Sequence, residues 1–446
     1  MTDNVHKGSL GLFSCVTMIV GGMIGSAVFS LTGLTVFNAG PAAIVSWAIA
    51  AIIMLCYGLI IAELATIYPK SGGVFVFPSK AIGKNENTGK LWGWISVWGY
   101  INANIVAIAF AAMYVGTYLG AGFPVFANMQ IPLGVISIII IFILNIIRFS
   151  VTGKTNTVLV IGLATTLLVY ACIALFSGKW DTAMLSPFFT QGVGGSTGFL
   201  ASVPTAMIGY GSIVAIAFMV SEVKDPNKNV PRSMLIAMII VFAIYALVIL
   251  STVGLVSAQF LKDNAGMRFI PLYAAAFTKL SGIKWLAKLI SISALLALLT
   301  TMLVVMALTS RAVVASAEGG IFPKKFTQTG KAGTPIYATI LVAALSMILS
   351  FFPQFTAQMV GLAAIFASLT ISINCISFIA ARKKQAYKEG NFRAPGGVFL
   401  SVFTLIILVV CYIPDIIKGG WLLWAYSLGW YAIGLLIYKI RNNKLK

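Results

Sequence analysis

The sequence predicts an all-α polytopic membrane protein with twelve transmembrane helices, and three observations carry that prediction. The 446 residues are 60% hydrophobic and only 9% charged. Apolar runs near the ~20 residues that cross a bilayer repeat from one end of the chain to the other. Those runs do not alternate polar with apolar residues, so helices fit them and barrel strands do not. They fall at 10–37, 41–67, 91–121, 131–149, 153–176, 198–222, 231–256, 283–314, 335–353, 356–380, 397–414 and 420–439.

The first run lacks the short apolar core and small-residue cleavage pattern of a signal peptide, and is read as a mature transmembrane helix. It holds Gly21, Gly22 and Gly25 near its midpoint. Each interior glycine weakens a helix by about 1 kcal/mol relative to alanine, so something must compensate. The second run ends near Glu63, and the third carries Asn102 and Asn104. Two residues apart, those asparagines face different ways; one lines a pocket, or they hydrogen-bond between helices. Lys154 begins the fifth run and is followed by a long stretch without another charge. The sixth contains Met207-Ile-Gly-Tyr-Gly-Ser-Ile213, again with its glycines near the middle, and is followed by Glu222; Arg311 sits at the end of the eighth. Trp421, Trp424, Trp430 and Tyr431 near the twelfth are interfacial anchors. No loop is long enough for a soluble domain, so residues 1–446 form a single transmembrane domain and function must be built among the helices.

A net charge of +20 would point to nucleic acid in a soluble protein. Its placement removes that reading. With the N-terminus inside, 23 of the 30 lysines and arginines fall on inner segments and 5 on outer loops, while Lys284 and Lys288 start the eighth run. The asymmetry places both termini in the cytoplasm of a multi-pass cell-membrane protein, and the basic loops suit an anionic inner leaflet. Cys15, Cys56, Cys172, Cys375 and Cys411 all lie in apolar runs, where cysteine behaves as a small hydrophobe. No disulfide-linked accessory subunit, metal or cofactor is therefore expected. His6, the only histidine, lies in the N-terminal tail, which argues against histidine-based membrane enzymes.

Interrupted helices five spans apart are the best sequence pointer to a transporter built of inverted repeats with its substrate at the breaks. Gly21 and Gly25 also form a Gly-x-x-x-Gly pair, the ordinary device for close helix packing. If both helices unwind, at Gly21, Gly22 and Gly25 and at Gly209 and Tyr210, backbone groups become exposed in mid-membrane and need partners. An amino-acid zwitterion supplies them. Amides around Ser26 and Ala27 offer a positive dipole end to a carboxylate, and carbonyls around Met23, Ile208 and Gly211 accept from an ammonium.

The chain resembles the amino acid-polyamine-organocation superfamily over nearly its whole length. Gly22-Met-Ile-Gly-Ser-Ala-Val-Phe29 is similar to that family's first-helix glycine motif, and Pro69-Lys-Ser-Gly-Gly-Val-Phe75 to its loop after the second helix. Glu222-Val-Lys-Asp-Pro-Asn-Lys-Asn-Val-Pro-Arg232 resembles the segment after helix six. Ser310-Arg-Ala through Ala317-Glu-Gly-Gly-Ile-Phe-Pro323 resembles the end of helix eight. Tyr210-Gly211 and the lysine of Thr152-Gly-Lys-Thr155 are similar to the L-amino acid transporter branch. The resemblance implies a LeuT-like fold of two inverted five-helix repeats, about 10–176 and 198–380, with extra helices at about 397–439. It also implies a substrate carboxylate on the amides of Ser26 and Ala27 and an ammonium on the carbonyls of Met23, Ile208 and Gly211. Two positions depart from the family pattern: Ala27 replaces a common glycine, and Ile208 stands where an aromatic gate often sits.

In related sodium-independent carriers a lysine at the place of Lys154 puts its ammonium where sodium-coupled relatives hold the ion. Lys154 then bridges spans one, five and eight, with snorkelling to the headgroups or a proton-linked role as alternatives. Glu63, Glu222 and Arg311 near the inner ends are read as solvated or as gate salt bridges. No carboxylate falls at either break, which favours neutral substrates over cationic ones, and the resemblance points to alanine, serine and cysteine. The expected function is sodium-independent exchange by alternating access, with a proton-coupled importer as the alternative and a non-transporting amino-acid sensor as a reading of another class. Gly153-Lys154-Thr155 lacks the earlier glycine of a phosphate-binding loop, so nothing suggests an ATP-driven pump.

Overall fold

The computed structural model describes residues 10–69, 72–83, 85–147, 153–218, 220–330, 333–388, 390–418 and 420–444. The described residues are helical almost throughout and form no strand, only two isolated bridges. The first predicted run folds as α1 (Leu12–Met23) and α2 (Ser26–Ala39), followed by α3 (Ala43–Ile67), the short α4 (Gly73–Ala81) and the long α5 (Glu86–Gly122). Then come α6 (Gln130–Ile146), α7 (Gly153–Phe176), α8 (Gly198–Ile208), the short α9 (Ala215–Phe218) and α10 (Pro226–Val253). Two short helices, α11 (Ala258–Asp263) and α12 (Pro271–Thr278), precede α13 (Lys284–Glu318), α14 (Ile336–Ser350), α15 (Thr356–Lys383), α16 (Gly397–Lys418) and α17 (Trp421–Lys444). By length and composition, six helical stretches among the described residues can cross a membrane, the longest being Ser26–Ile67, and four shorter helices are also apolar.

Local chemistry sets the helix ends. Gly40 takes φ +61°, a left-handed turn before Pro41 that separates α2 from α3. Asn85 caps α5 by accepting from the Thr88 amide at 2.8 Å, and Ser257 caps α11 by accepting from Phe260 N at 3.1 Å. Pro226 opens α10, where a missing N–H leaves nothing unsatisfied.

The packing is that of a membrane bundle. Large side chains such as Ile139, Ile143, Val158, Phe399, Val409 and Leu436 stand exposed on α6, α7, α16 and α17, while Trp47, Trp94, Tyr114, Tyr210 and Tyr245 are fully buried. α5 runs through the middle, packed on α13 and α15, and α3 packs between α8 and α10.

Glu63 is neither solvated nor loosely paired. It is wholly buried, and Arg382 of α15 grips it with two hydrogen bonds, Nε to Oε1 at 2.9 Å and Nη2 to Oε2 at 2.7 Å. The Tyr387 hydroxyl and the Ala394 amide donate to the same carboxylate. Burial, and then the hydrogen bond to Glu63, push the Tyr387 phenol well above its ordinary value, so it stays a donor. One carboxylate thus ties α3 to the end of α15 and to the segment leading into α16.

Candidate functional site

Both glycine-rich stretches interrupt their helices. α1 stops at Met23, Ile24 and Gly25 leave helical geometry (Gly25 φ −121°, ψ −144°), and α2 restarts at Ser26. Gly21 and Gly22 differ from the expectation, since both lie inside α1. Gly22 serves approach rather than unwinding: a Cβ there would sit 2.7 Å from Ser212 Cβ, and Ser212 Oγ donates to the Gly22 carbonyl at 2.9 Å. At the second interruption α8 stops at Ile208, Gly209 and Tyr210 form a turn, and a 3-10 turn at Gly211–Val214 leads into α9. A Cβ on Gly209 would meet the Trp47 ring at 2.7 Å, whereas Gly211 faces open space.

Tyr245 of α10 holds the two interruptions together. Its hydroxyl reaches the carbonyl of Met23 and, at 3.3 Å, that of Gly209. The Trp47 ring packs edge-on against Tyr245 at 4.9 Å and against Tyr210 at 5.8 Å, and its indole N–H donates to Thr35 Oγ1 at 3.0 Å. Sequence reading missed Tyr245, because an aromatic in an apolar run looks like any other core residue.

A cavity of about 190 Å³ lies against the interruptions, lined by Gly25, Ser26, Ala27, Ile208 and Gly211 together with one face of α5 and of α15. No Asp, Glu, Lys, Arg or His is among its described lining residues. A larger cavity of about 540 Å³ extends from Gly22, Ser212 and Thr301 to Leu10, Glu222 and Arg311. Gly22, Ser212, Ala215, Thr301, Val305 and Leu308 line both and form the partition between them. The α2 N-terminus faces the smaller cavity through Ser26 and Ala27, and first-turn amides have no carbonyl four residues back. The Ser26 amide donates instead to Thr301 Oγ1 of α13 at 3.2 Å.

The two asparagines of α5 divide their tasks. Asn102 is fully buried and donates to the Tyr426 hydroxyl of α17 at 3.0 Å, while Asn104 lines the smaller cavity. Met23, Ile208 and Gly211 all line that cavity, and Glu222 and Arg311 line the larger one. Lys154 lies in the first turn of α7, but its side chain is outside the described residues. No group of metal-ligating side chains occurs among the described residues.

Comparison with known proteins gives a consistent picture. The sequence model of the amino acid permease family matches residues 10–436. A branched-chain amino acid permease of Bacillus subtilis is 27% identical, covering 98% of this chain and 94% of the relative. A serine/threonine exchanger of the same organism is 29% identical over 58% of this chain and 57% of its own length. An aspartate-proton symporter, also from Bacillus subtilis, is 25% identical over 96% of this chain and 83% of the relative.

Proposed function

This chain belongs to the amino acid permease family, and from that premise we propose that it is a secondary carrier exchanging small neutral L-amino acids, independently of sodium, by alternating access. The observation that carries the reading is the pair of interrupted helices meeting at a cavity with no charged side chain in its described lining. A zwitterion brings one charge of each sign to a site whose polar partners are helix-end amides and carbonyls rather than ionised side chains. The carboxylate sits on the amides of Ser26 and Ala27 at the positive end of α2, and the ammonium donates to the carbonyls of Met23, Ile208 and Gly211. The Met23 carbonyl accepts from the Tyr245 hydroxyl and from the Gly25 N–H at 2.7 Å, so the ammonium engages it by taking the place of one of those donors.

Interruptions in the first and sixth of twelve spans support two inverted repeats, residues 10–176 and 198–380, with α16 and α17 appended. The basic end, where the larger cavity reaches Glu222 and Arg311, is then cytoplasmic, and that cavity is the inner vestibule. The bundle containing spans one and six rocks against the rest around the fixed site. Lys154, at the start of α7, bridges spans one, five and eight and tunes the opening equilibrium. A Lys154→Ala carrier that inserts normally is expected to exchange at least several-fold more slowly, measured as initial rates in vesicles of matched protein content. Wild-type rates would remove that role.

Tyr245→Phe is expected to lower exchange about tenfold or more, because it removes the one proton that the carbonyls of Met23 and Gly209 share, a loss of roughly 1–3 kcal/mol in all. Tracer exchange at equal expression reads this, and an unchanged rate would mean that the interruptions do not depend on that hydroxyl.

Branched-chain amino acids are the second reading. Val106, Phe110, Met359 and Ala363 give the cavity an apolar side. Competition against labelled L-alanine in proteoliposomes separates the readings. Inhibition by L-serine and L-cysteine supports the first, stronger inhibition by L-isoleucine and L-leucine the second, and transport of L-aspartate or L-lysine would defeat neutral selectivity altogether.

A further inference from the structure

The Thr301 hydroxyl lies where the proposed site needs an acceptor. Its oxygen accepts from the Ser26 N–H at 3.2 Å and its proton is committed to the Ala297 carbonyl at 2.8 Å. A Cβ on Gly25 would stand 2.2 Å from the same oxygen, while the Thr301 Cβ would be 3.5 Å away, so the hydroxyl alone fills the space that glycine leaves. Thr301 also lines both cavities, at the partition between site and vestibule.

We infer that Thr301 is a positioning residue that occupies the empty carboxylate site and yields it to the substrate; this rests on the carboxylate placement proposed above. A hydroxyl whose proton is already given away presents a lone pair to the Ser26 N–H. A carboxylate presents lone pairs to that same N–H, so hydroxyl and substrate compete for one donor. In the empty protein Thr301 keeps a buried amide satisfied and holds α2 to α13. When substrate takes the amide, that tie is released, so substrate binding and the separation of spans one and eight become one event. The class of ligand follows: a group with a carboxylate oxygen at the α2 N-terminus displaces the hydroxyl.

The sign of the effect separates this role from simple packing. Thr301→Val keeps the shape and removes the rival acceptor, leaving the Ser26 amide unsatisfied in the empty protein. Affinity is then expected to rise about two- to tenfold, the equivalent of one net hydrogen bond. Thr301→Ser keeps the hydroxyl and is expected to bind as wild type. A packing role, or a hydroxyl that donates to the substrate, would make Thr301→Val bind more weakly. Steric logic gives a second readout: Gly25→Ala is expected to abolish binding, and Gly25→Ala/Thr301→Ala to restore it in part, because the atom that the new methyl would meet is gone.

The test is equilibrium binding of labelled L-alanine, L-serine and L-isoleucine to the purified full-length protein, wild type and these variants. Tighter binding by Thr301→Val with rescue of Gly25→Ala supports the inference. Equal or weaker binding by Thr301→Val, with the wild type binding normally, overturns it and leaves the proposed function standing. Absence of saturable binding by the wild type to any of the three would overturn the proposed function and the inference together.

Discussion

Arg382→Ala is expected to destabilise the protein by about 3–5 kcal/mol, the range seen when one partner of a buried ion pair is removed. Glu63 is fully buried and takes two hydrogen bonds from that guanidinium, at 2.7 and 2.9 Å, the only ones it receives from an ionised partner among the described residues. The Tyr387 hydroxyl and Ala394 amide remain as donors, but neither carries charge. Against a total stability of roughly 5–15 kcal/mol, this loss should lower the yield of monodisperse protein and the melting temperature in detergent. The double variant Glu63→Leu/Arg382→Leu should recover part of the loss, since it removes the stranded charge while leaving Tyr387 and Ala394 without an acceptor. A wild-type melting curve for Arg382→Ala would show that the carboxylate is stabilised some other way.

Gly33→Ala should act on transport rather than on folding of the helix itself. Gly33 lies in α2, where alanine alone would favour the helix by roughly 1 kcal/mol. The contact decides otherwise: a Cβ at this position would lie 1.9 Å from the Arg268 carbonyl oxygen and 3.1 Å from Pro271 Cβ. Backbone cannot swing away as a side-chain tip does. The segment carrying Arg268 is pinned at several points, with its guanidinium 3.6 Å from the Phe37 ring centroid and Phe269 packed on Tyr114 at 5.3 Å. It joins α11 to α12 and rests on α2 at the end away from the larger cavity. A methyl on Gly33 props this cover off, so closure on that side fails in any cycle that needs it. Exchange is expected to fall at least tenfold while equilibrium binding of labelled L-alanine persists. Retained exchange would mean that the cover need not seat on α2 during transport.

Much of the scaffold was legible because membrane helices obey one strong rule: backbone polar groups must be satisfied inside the segment, so long apolar runs become helices. Each of the twelve runs corresponds to described helix, with ends displaced by a few residues. α4, α11 and α12 were not legible, since helices of six to nine residues are too short to show a period. The two interruptions could be placed from glycine content, but not which glycine does what. Gly22 and Gly25 look alike as letters; only the crossing of Ser212 and the position of Thr301 make one a packing glycine and the other part of the break. Glu63 read as a helix-end carboxylate because Arg382, its partner, is 319 residues away. Tyr245 and Thr301 act through single hydroxyls aimed at backbone groups of another helix, and such aim has no sequence pattern.

Tracer exchange decides whether the site works as a carrier. The purified protein in liposomes is given external labelled L-alanine with and without unlabelled L-alanine inside, first without ion gradients and then with an imposed proton or sodium gradient. Exchange predicts uptake that requires internal substrate and ignores both gradients. Accumulation in empty vesicles driven by either gradient would contradict it and make the protein a symporter.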